Sequence, residues 1–184
     1  MLSAECEPWA KTGGLADVVD ALARALGRQP ADIDGPVDVF LPRYRNVPEP
    51  DSVERAVVHR VPDPRSMTGS TDVTVLDVAA DGYRLRLVDH PAAFDREGFY
   101  GDAAGDYADN AWRFGLFCRA ALEALRADDR PLDVLHLHDW HTGPAAIWRD
   151  VMVEALAGLS PEILPGEMRE EAPEPAPYLV SSDE

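Results

Sequence analysis

Positive charge is scarce in this sequence of 184 residues, and all but one of its basic side chains are arginines. Seventeen lysines and arginines face 34 aspartates and glutamates, so the formal net charge is −17. Phosphate backbones and anionic lipid surfaces need a basic face, so we expect no nucleic-acid partner and no membrane partner. The acid excess is typical of adaptation to high salt, where charges are screened over about 3 Å at 1 M. A compositional bias towards Arg, Ala and Asp would give the same pattern.

Cysteines and long apolar runs are also scarce. Cys6 and Cys118 stand far apart, which favours reduced thiols over a disulfide framework and predicts a cytoplasmic location. No apolar stretch approaches the ~20 residues of a membrane-spanning helix. The first residues lack the basic start and apolar core of a signal peptide. With 46% apolar residues, the chain has enough material for one hydrophobic core of an α/β domain.

The single lysine opens the run Lys11-Thr12-Gly13-Gly14, directly before a predicted helix. Two glycines let a ligand approach the backbone closely, and free N–H groups at a helix N-terminus favour anions. An ammonium group adds a compact positive charge that suits phosphate. In so acidic a protein, a phosphate site has to be built locally from such groups. The run therefore predicts an anion site at Lys11, the alternative being a solvated lysine before a turn.

Alternating helical and extended patterns predict an α/β domain with a mainly parallel sheet. Helical periodicity marks three segments, which are residues 15–26, 107–127 and 143–157. Strand patterns mark five segments, which are residues 2–5, 37–41, 73–78, 83–88 and 134–138. The third and fourth of these flank Asp81-Gly82, a hairpin turn signal. Because Lys11 and Asp139 each follow a predicted strand, both should lie at the carboxyl ends of the strands, where such sheets bind ligands.

The composition changes at residue 160. Five prolines and six glutamates occur in residues 160–184, with little apolar material. Such segments cannot bury enough apolar surface to order themselves. We therefore expect one domain over residues 1–159 and a disordered acidic tail over residues 160–184.

Several polar and aromatic side chains near the predicted strand ends suit a sugar. The Glu5 carboxylate can accept hydrogen bonds from sugar hydroxyls, although a solvent-facing loop acid is an equally good interpretation. Asp17 lies in the first helical turn, where it can simply complement the helix dipole. Tyr100 and Tyr107 belong to a loop rich in Gly and Asp and can stack on the apolar faces of sugar rings. The aromatic residues of 112–114 fit the core as well as they fit a ligand.

A histidine-rich run covers residues 136–141. Alternation puts His136 and His138 on one face of a strand, which raises the question of a zinc site. Further ligands are scarce, since the sequence has only five histidines, so we expect no metal. We expect His136 and His138 to be buried and hydrogen-bonded, and Asp139 and His141 to face the ligand crevice.

The run around Lys11, the loop that begins at Tyr100 and the histidine-rich run at 136–141 together resemble the bacterial and plant glycogen/starch synthases that use a nucleotide-diphosphate glucose. The shared motifs are Ser-Ala-Glu-x-x-Pro-x-x-Lys-Thr-Gly-Gly-Leu-Ala-Asp-Val from Ser3, Tyr-Gly-x-x-x-x-Asp-Tyr-x-Asp-Asn-x-x-Arg-Phe from Tyr100, and His-x-His-Asp-Trp-His from His136. The resemblance covers residues 2–150 and keeps the order of the motifs. It implies the Rossmann-like N-terminal half of a two-domain GT-B glycosyltransferase.

The resemblance also implies an activity and a site. The family transfers glucose from ADP-glucose or UDP-glucose to the non-reducing end of an α-1,4-glucan, with retention and without a metal or other cofactor. The implied residues have three roles: catalysis by Asp139 and Glu5; binding of the donor phosphates by Lys11, Gly13 and Gly14; and contact with the sugar or glucan by Tyr100, Asp17 and His141.

The chain also departs from the family pattern. The family's first strand starts several residues earlier, and Met1-Leu2 matches only the last part of it. The family's Val-His-Asn strand does not follow His141. The C-terminal domain, with the nucleotide-base pocket, is not in the sequence. We therefore expect that this chain alone is inactive and works with a separate C-terminal half. The alternatives are a non-catalytic glucan-binding or regulatory module derived from such a synthase, and a decayed gene product.

Overall fold

The computed structural model describes residues 1–29, 37–128 and 132–149. The described helices and strands are α1 (Gly14–Gly27), β1 (Asp38–Pro42), β2 (Arg55–Pro62), β3 (Ser70–Ala79), β4 (Arg84–Asp89), α2 (Pro91–Phe94), β5 (Gly101–Asp102), β6 (Gly105–Asp106), α3 (Asn110–Ala127) and a 3₁₀ turn (Trp140–Thr142). The turn continues as α-helix over residues 143–149. The predicted domain end at residue 159 and the predicted tail lie outside the described residues, as does the end of the predicted helix 143–157.

The sheet has the order β1-β4-β3-β2 and is mixed. β1 and β4 run parallel, whereas β3 is antiparallel to both β4 and β2. The predicted α/β class is confirmed, and the antiparallel strand β3 is what makes the sheet mixed. The reason is local: the predicted hairpin around Asp81-Gly82 joins β3 to β4 directly, and a short connection cannot return a strand in the parallel direction.

The parallel part of the sheet continues beyond β1 through isolated bridges. Leu2 pairs in parallel with Phe40 of β1 on one side and with Leu137 on the other. The predicted strands at 2–5 and 134–138 are therefore in the predicted places but reduced to single bridges. At the second bridge, the Leu2 amide donates to the carbonyl of His136, and the Leu2 carbonyl accepts from the amide of His138. These two hydrogen bonds flank Leu137.

Helix α1 begins at the predicted glycine pair and ends at Gly27, as predicted. Its buried face consists of Ala16, Val19 and Ala23, and not of the larger apolar residues, since Val18 is 57% exposed. Small residues let α1 approach the β3–β4 turn. A Cβ on Gly27 would lie only 1.6 Å from the carbonyl oxygen of Gly82, so the end of the helix requires glycine at position 27.

Helix α3 packs across the sheet and supplies much of the core, including Leu116, Phe117 and Phe114. Trp112 is also buried, so the structural interpretation of these aromatic residues is confirmed. Asp109 occupies the N-cap position, but its carboxylate binds Arg96 and does not cap the helix. Cys6 and Cys118 are buried free thiols. Among the helices that the structure describes, none combines the length and apolarity needed to cross a membrane.

A buried ionic network closes the amino end of β1 and β4. Arg86 is 1% exposed and donates to Asp77 at 2.9 Å and to Asp128 at 2.6 Å. Arg84 binds Asp38 through two hydrogen bonds of 2.8 Å. Buried charges of this kind are tolerated only when each has its partner, so the network joins β1, β3 and β4 to the end of α3.

We expect Arg86→Ala to lower the free energy of unfolding by about 3 kcal/mol, because it removes the closest cation from the buried carboxylates of Asp77 and Asp128. The matched control is Arg60→Ala, which removes an exposed cross-strand pair with Asp72 and should cost less than about 1 kcal/mol. Urea denaturation of both variants measures the difference. Equal losses would show that Arg86 contributes no more than a surface arginine.

Candidate functional site

Three segments of the chain converge where the parallel strands end. Glu5 follows the bridge at Leu2, Asp139 follows the bridge at Leu137, and both lie beyond the carboxyl end of the same parallel arrangement. Tyr100 reaches this point from the loop before α3, because its hydroxyl contacts Glu5. The expectation that the Lys11 loop and Asp139 lie at one edge of the sheet is thereby confirmed.

Glu5 is the centre of the site. Its side chain is nearly buried, and its two oxygens accept hydrogen bonds from the Thr12 amide (2.6 Å), the Thr12 hydroxyl (2.6 Å), the Gly13 amide (3.1 Å) and the Tyr100 hydroxyl (2.6 Å). Burial opposes ionisation, but the hydroxyls of Thr12 and Tyr100 and the two amides outweigh it, so the pKa of Glu5 lies below its ordinary value. The predicted loop acid is an internal carboxylate that organises the Lys11 loop.

Tyr100 connects Glu5 to the histidine run. Its ring stacks on His141, with centroids 4.8 Å apart and planes inclined by 26°. Burial and the neighbouring Glu5 carboxylate raise the pKa of Tyr100, so the hydroxyl stays protonated and donates. The predicted sugar-facing residues Glu5, Tyr100 and His141 thus form one cluster. Tyr107 is not part of it, since its hydroxyl accepts a hydrogen bond from the Gly98 amide.

Two residues that sequence reasoning did not single out hold Tyr100 in place. The Asn110 side-chain amide donates to the carbonyl of Tyr100 at 2.7 Å. Fully buried Arg113 donates to the carbonyls of Ala93 (2.6 Å) and Phe99 (3.0 Å) and to the Asn110 amide oxygen (2.6 Å). Burial lowers the pKa of Arg113. The signal was present in the sequence, because both residues belong to the motif that begins at Tyr100.

Asp139 has a strained backbone. Its φ of 64° and ψ of 177° fall in a region that is essentially restricted to glycine. The strain turns the chain from the bridge at Leu137 into the 3₁₀ turn, and the Asp139 carboxylate accepts from the Trp140 amide at 2.6 Å. Asp139 is exposed.

His141 is 4% exposed, so it lies beneath the surface and not on an open crevice wall. Burial lowers its pKa, against the opposing charges of Asp139 and Glu5, and therefore favours the neutral imidazole. Its Nδ1 atom has no hydrogen-bond partner among the described residues. The unpaired nitrogen of a neutral histidine can form a hydrogen bond with a ligand, provided that the side chains over the ring move aside.

His136 and His138 stack on each other, with ring centroids 4.2 Å apart, which confirms that they share a face. His138 is buried, but its Nε2 finds no partner in the described part of the chain, so the expected hydrogen bond is absent at this atom. Burial, reinforced by the neighbouring His136, lowers the pKa of His138 to about 4. Within the three described ranges, no group of three or more His, Cys, Asp or Glu side chains is placed to hold a metal ion.

Lys11 and the glycine pair form the outer part of the site. The half-exposed Lys11 ammonium lies 2.6 Å from Asp17 and 3.2 Å from Glu7, and its hydrogen bonds to these carboxylates raise its pKa. Asp17 is thus a partner of the lysine. The Gly13 amide is already bonded to Glu5, and a Cβ at either Gly13 or Gly14 would meet nothing within 4 Å. An anion would have to compete with carboxylates for both the ammonium and the Gly13 amide.

The strain at Asp139 predicts that Asp139→Gly is more stable than Asp139→Ala by about 1 kcal/mol or more, because only alanine keeps the cost of the positive φ. Both variants lose the same carboxylate, so the comparison isolates the backbone. At Asp95, where φ is −78°, the same pair of substitutions should give the opposite order. Urea denaturation is the measurement, and an alanine variant as stable as the glycine variant at position 139 would contradict the strain.

We expect Glu5→Gln to cost about 1–3 kcal/mol of stability at pH 7, because an amide group would face hydrogen-bond donors. The pKa of Glu5 is lowered in the folded protein, so its contribution is present above the unfolded pKa of about 4.3 and is lost as the pH falls through the folded value. The difference between parent and variant should therefore shrink below about pH 4. Urea titrations between pH 3 and pH 7 test this, with exposed Glu54→Gln as control; a gap that is constant with pH would be inconsistent.

Comparison with known proteins extends this picture. The family model described as starch synthase catalytic domain matches residues 1–155. The glycogen synthase of Koribacter versatilis is 40% identical over 142 residues, which are 76% of this chain and 28% of that protein. Glycogen synthase 2 of Geobacter sulfurreducens is 39% identical over 143 residues, or 77% of this chain and 28% of that protein. The chain thus spans less than a third of the length of these curated relatives.

A solved structure agrees with the sequence comparisons. The catalytic domain of starch synthase IV from Arabidopsis thaliana, bound to ADP and acarbose, superposes with a TM-score of 0.69 at 30% sequence identity. The match covers 84% of this chain and 30% of that one. The motifs, the α/β fold and the family match over residues 1–155 agree, and the chain belongs to the starch synthase catalytic-domain family of GT-B glycosyltransferases.

Proposed function

We propose that this chain is the N-terminal, acceptor-side domain of a glycogen or starch synthase. In this proposal it acts in the cytoplasm with a complementary nucleotide-binding half. Together they transfer glucose from ADP-glucose or UDP-glucose to the non-reducing end of an α-1,4-glucan with retention, and the isolated chain does not turn over. The observation that carries the proposal is the joining of the three motifs through the Glu5 carboxylate, which brings the Lys11 loop, Tyr100 and His141 to one place.

The chemistry of the reaction assigns distinct tasks to this cluster. Negative charge grows on the donor phosphate as the nucleotide leaves, and a positioned cation stabilises it. Lys11 supplies that cation after leaving Asp17 and Glu7, and the Gly14 amide adds a dipole. The neutral His141 and the exposed Asp139 carboxylate form the polar surface for the transferred sugar. Glu5 contributes by fixing Tyr100 and the Lys11 loop relative to each other.

One observation favours a second candidate, a glucan-binding module without catalysis. The Lys11 ammonium and the Gly13 amide are already bonded to protein carboxylates, whereas the Nδ1 atom of His141 has no partner among the described residues. A module that retained only the acceptor surface would show this pattern. It predicts retention on glycogen that is unaffected by Lys11→Ala.

Complementation separates the two functions. We expect no glucose transfer from ADP-glucose to glycogen by this chain alone, and transfer when it is mixed with the remaining part of the Koribacter versatilis relative. Lys11→Ala should lower that activity by about 10²–10³-fold, because it removes the cation that stabilises the leaving phosphate. The control is Arg28→Ala, an exposed cation that pairs with Asp81 away from the cluster.

Each contrary result has a distinct meaning. Strong transfer by the chain alone would refute the need for a second half. No transfer in the mixture, together with glycogen retention that Lys11→Ala leaves unchanged, would support the binding module. Neither transfer nor retention would remove both candidates.

A further inference from the structure

Two polar atoms in the protein interior have no partner, and the function proposed above does not account for them. They are the Nη2 atom of Arg113, near the start of α3, and the hydroxyl oxygen of Tyr44, two residues after β1. Arg113 is 0% exposed and Tyr44 is 2% exposed, and neither atom forms a hydrogen bond with any residue that the structure describes. Buried polar groups are nearly always hydrogen-bonded, so these two atoms indicate a bound partner.

Tyr44 and Arg113 contact the same two phenylalanines. The Tyr44 ring meets the Phe94 ring edge-on, with centroids 5.9 Å apart, and stacks on the Phe99 ring at 4.3 Å. The central carbon of the Arg113 guanidinium lies 5.6 Å from the centroid of Phe94, and its Nη1 atom donates to the Phe99 carbonyl at 3.0 Å. The two unpartnered atoms therefore belong to one buried region.

The charge of Arg113 is not matched by a carboxylate in the described ranges. Its hydrogen bonds go to two backbone carbonyls and to the amide oxygen of Asn110, all of which are neutral. Asp109, which precedes α3, is bound by Arg96 at 2.7 Å. The other buried arginine of the described residues, Arg86, has two carboxylates within 2.9 Å. A buried charge is costly unless an opposite charge accompanies it, so Arg113 differs from Arg86 in needing one.

The two atoms fit a ligand that accepts hydrogen bonds and carries negative charge. A guanidinium nitrogen only donates. Burial raises the pKa of Tyr44 well above its ordinary value, so its hydroxyl keeps a proton to donate. A water molecule could accept both hydrogen bonds, but it brings no charge and two protons of its own. The rings of Tyr107 and Phe114, 5.0 and 5.5 Å from the guanidinium carbon, are only weak acceptors for such protons.

We propose that the interior of this domain binds a halide ion, chloride being the common one, between the Arg113 Nη2 atom and the Tyr44 hydroxyl. The ion supplies the negative charge that Arg113 lacks and joins the segment after β1 to the start of α3. Because Arg113 also holds the carbonyl of Phe99, the residue before Tyr100, bound chloride stabilises the backbone that carries Tyr100. This inference does not depend on the proposed glucose transfer, since it concerns the folded chain alone.

The test measures the stability of the full chain by urea denaturation at constant ionic strength, with chloride replacing the much larger gluconate. A halide site in the folded state should lower the equilibrium constant of unfolding about tenfold for each tenfold rise in chloride above its dissociation constant. Tyr44→Phe keeps the ring and removes one of the two donors. It should raise the dissociation constant for chloride about tenfold or more, the loss of one hydrogen bond to a charged group.

Tyr107→Phe is the matched control. The Tyr107 ring lies 5.0 Å from the same guanidinium carbon, but its hydroxyl accepts from the Gly98 amide. This variant should therefore respond to chloride as the parent does, whatever its own stability. Arg113 is left in place, because it holds two backbone carbonyls and its removal would disturb the loop before Tyr100 in any case.

Bromide gives a second measurement that needs no variant. In crystals of the chain soaked with bromide, anomalous scattering should show an ion in contact with both the Arg113 Nη2 atom and the Tyr44 hydroxyl. Density at that place without an anomalous signal would identify a water molecule and overturn the inference. Bromide on the surface alone, or a stability that is equal in chloride and gluconate, would overturn it as well. If Tyr44→Phe and the parent had the same chloride response, the bound ion would lie elsewhere and the proposed site would be wrong.

Discussion

The arrangement of the site depends on one buried carboxylate. Glu5 accepts hydrogen bonds from a backbone amide and a hydroxyl of Thr12, from the Gly13 amide and from the Tyr100 hydroxyl. The partners come from loops about 90 residues apart in the chain, and no hydrophobic contact could fix their relative positions so sharply. Charge-assisted hydrogen bonds are short and directional, and in a poorly solvated site they are stronger than in water. Asn110 and Arg113 fix the backbone next to this cluster, because they donate hydrogen bonds to the carbonyls of Tyr100 and Phe99.

The same carboxylate limits what the Lys11 loop can do as an anion site. A glycine-rich turn before a helix offers N–H groups, but here Glu5 takes the Thr12 and Gly13 amides from inside the protein. Outside, Asp17 and Glu7 take the ammonium. In a protein of net charge −17, a bare cation would attract such partners in any case. An anion that binds at this loop therefore has to displace these carboxylates first.

Much of this could be predicted from the sequence, and the failures have physical causes. The positions of α1, β1, the β3–β4 hairpin and α3 follow from periodicity and turn residues. Strand β2 was missed, because it is an edge strand that buries only His59 and Val61 and so shows a weak alternation. The helical periodicity of α1 was recognised, but it does not show how closely a helix that buries Ala16 and Ala23 approaches its neighbour.

The site itself was predictable in membership but not in roles. Motif residues mark Glu5, Tyr100 and His141, but only coordinates show that Glu5 bonds to protein groups and that His141 is covered. The positive φ of Asp139 could not be predicted from the sequence, because aspartate rarely adopts this backbone conformation. Arg113 was overlooked for a related reason, because arginine is usually a surface residue and its burial depends on carbonyls supplied by distant loops.

The state of Lys11 has a practical consequence. Its half-exposed amine is the only ε-ammonium in the chain, so reductive methylation with isotope-enriched formaldehyde would place a single NMR-active lysine label in the protein. The chemical shift of that label would report whether the amine is held by Asp17 or has turned towards a bound anion. Few proteins allow one cation of interest to be followed without any substitution elsewhere in the chain.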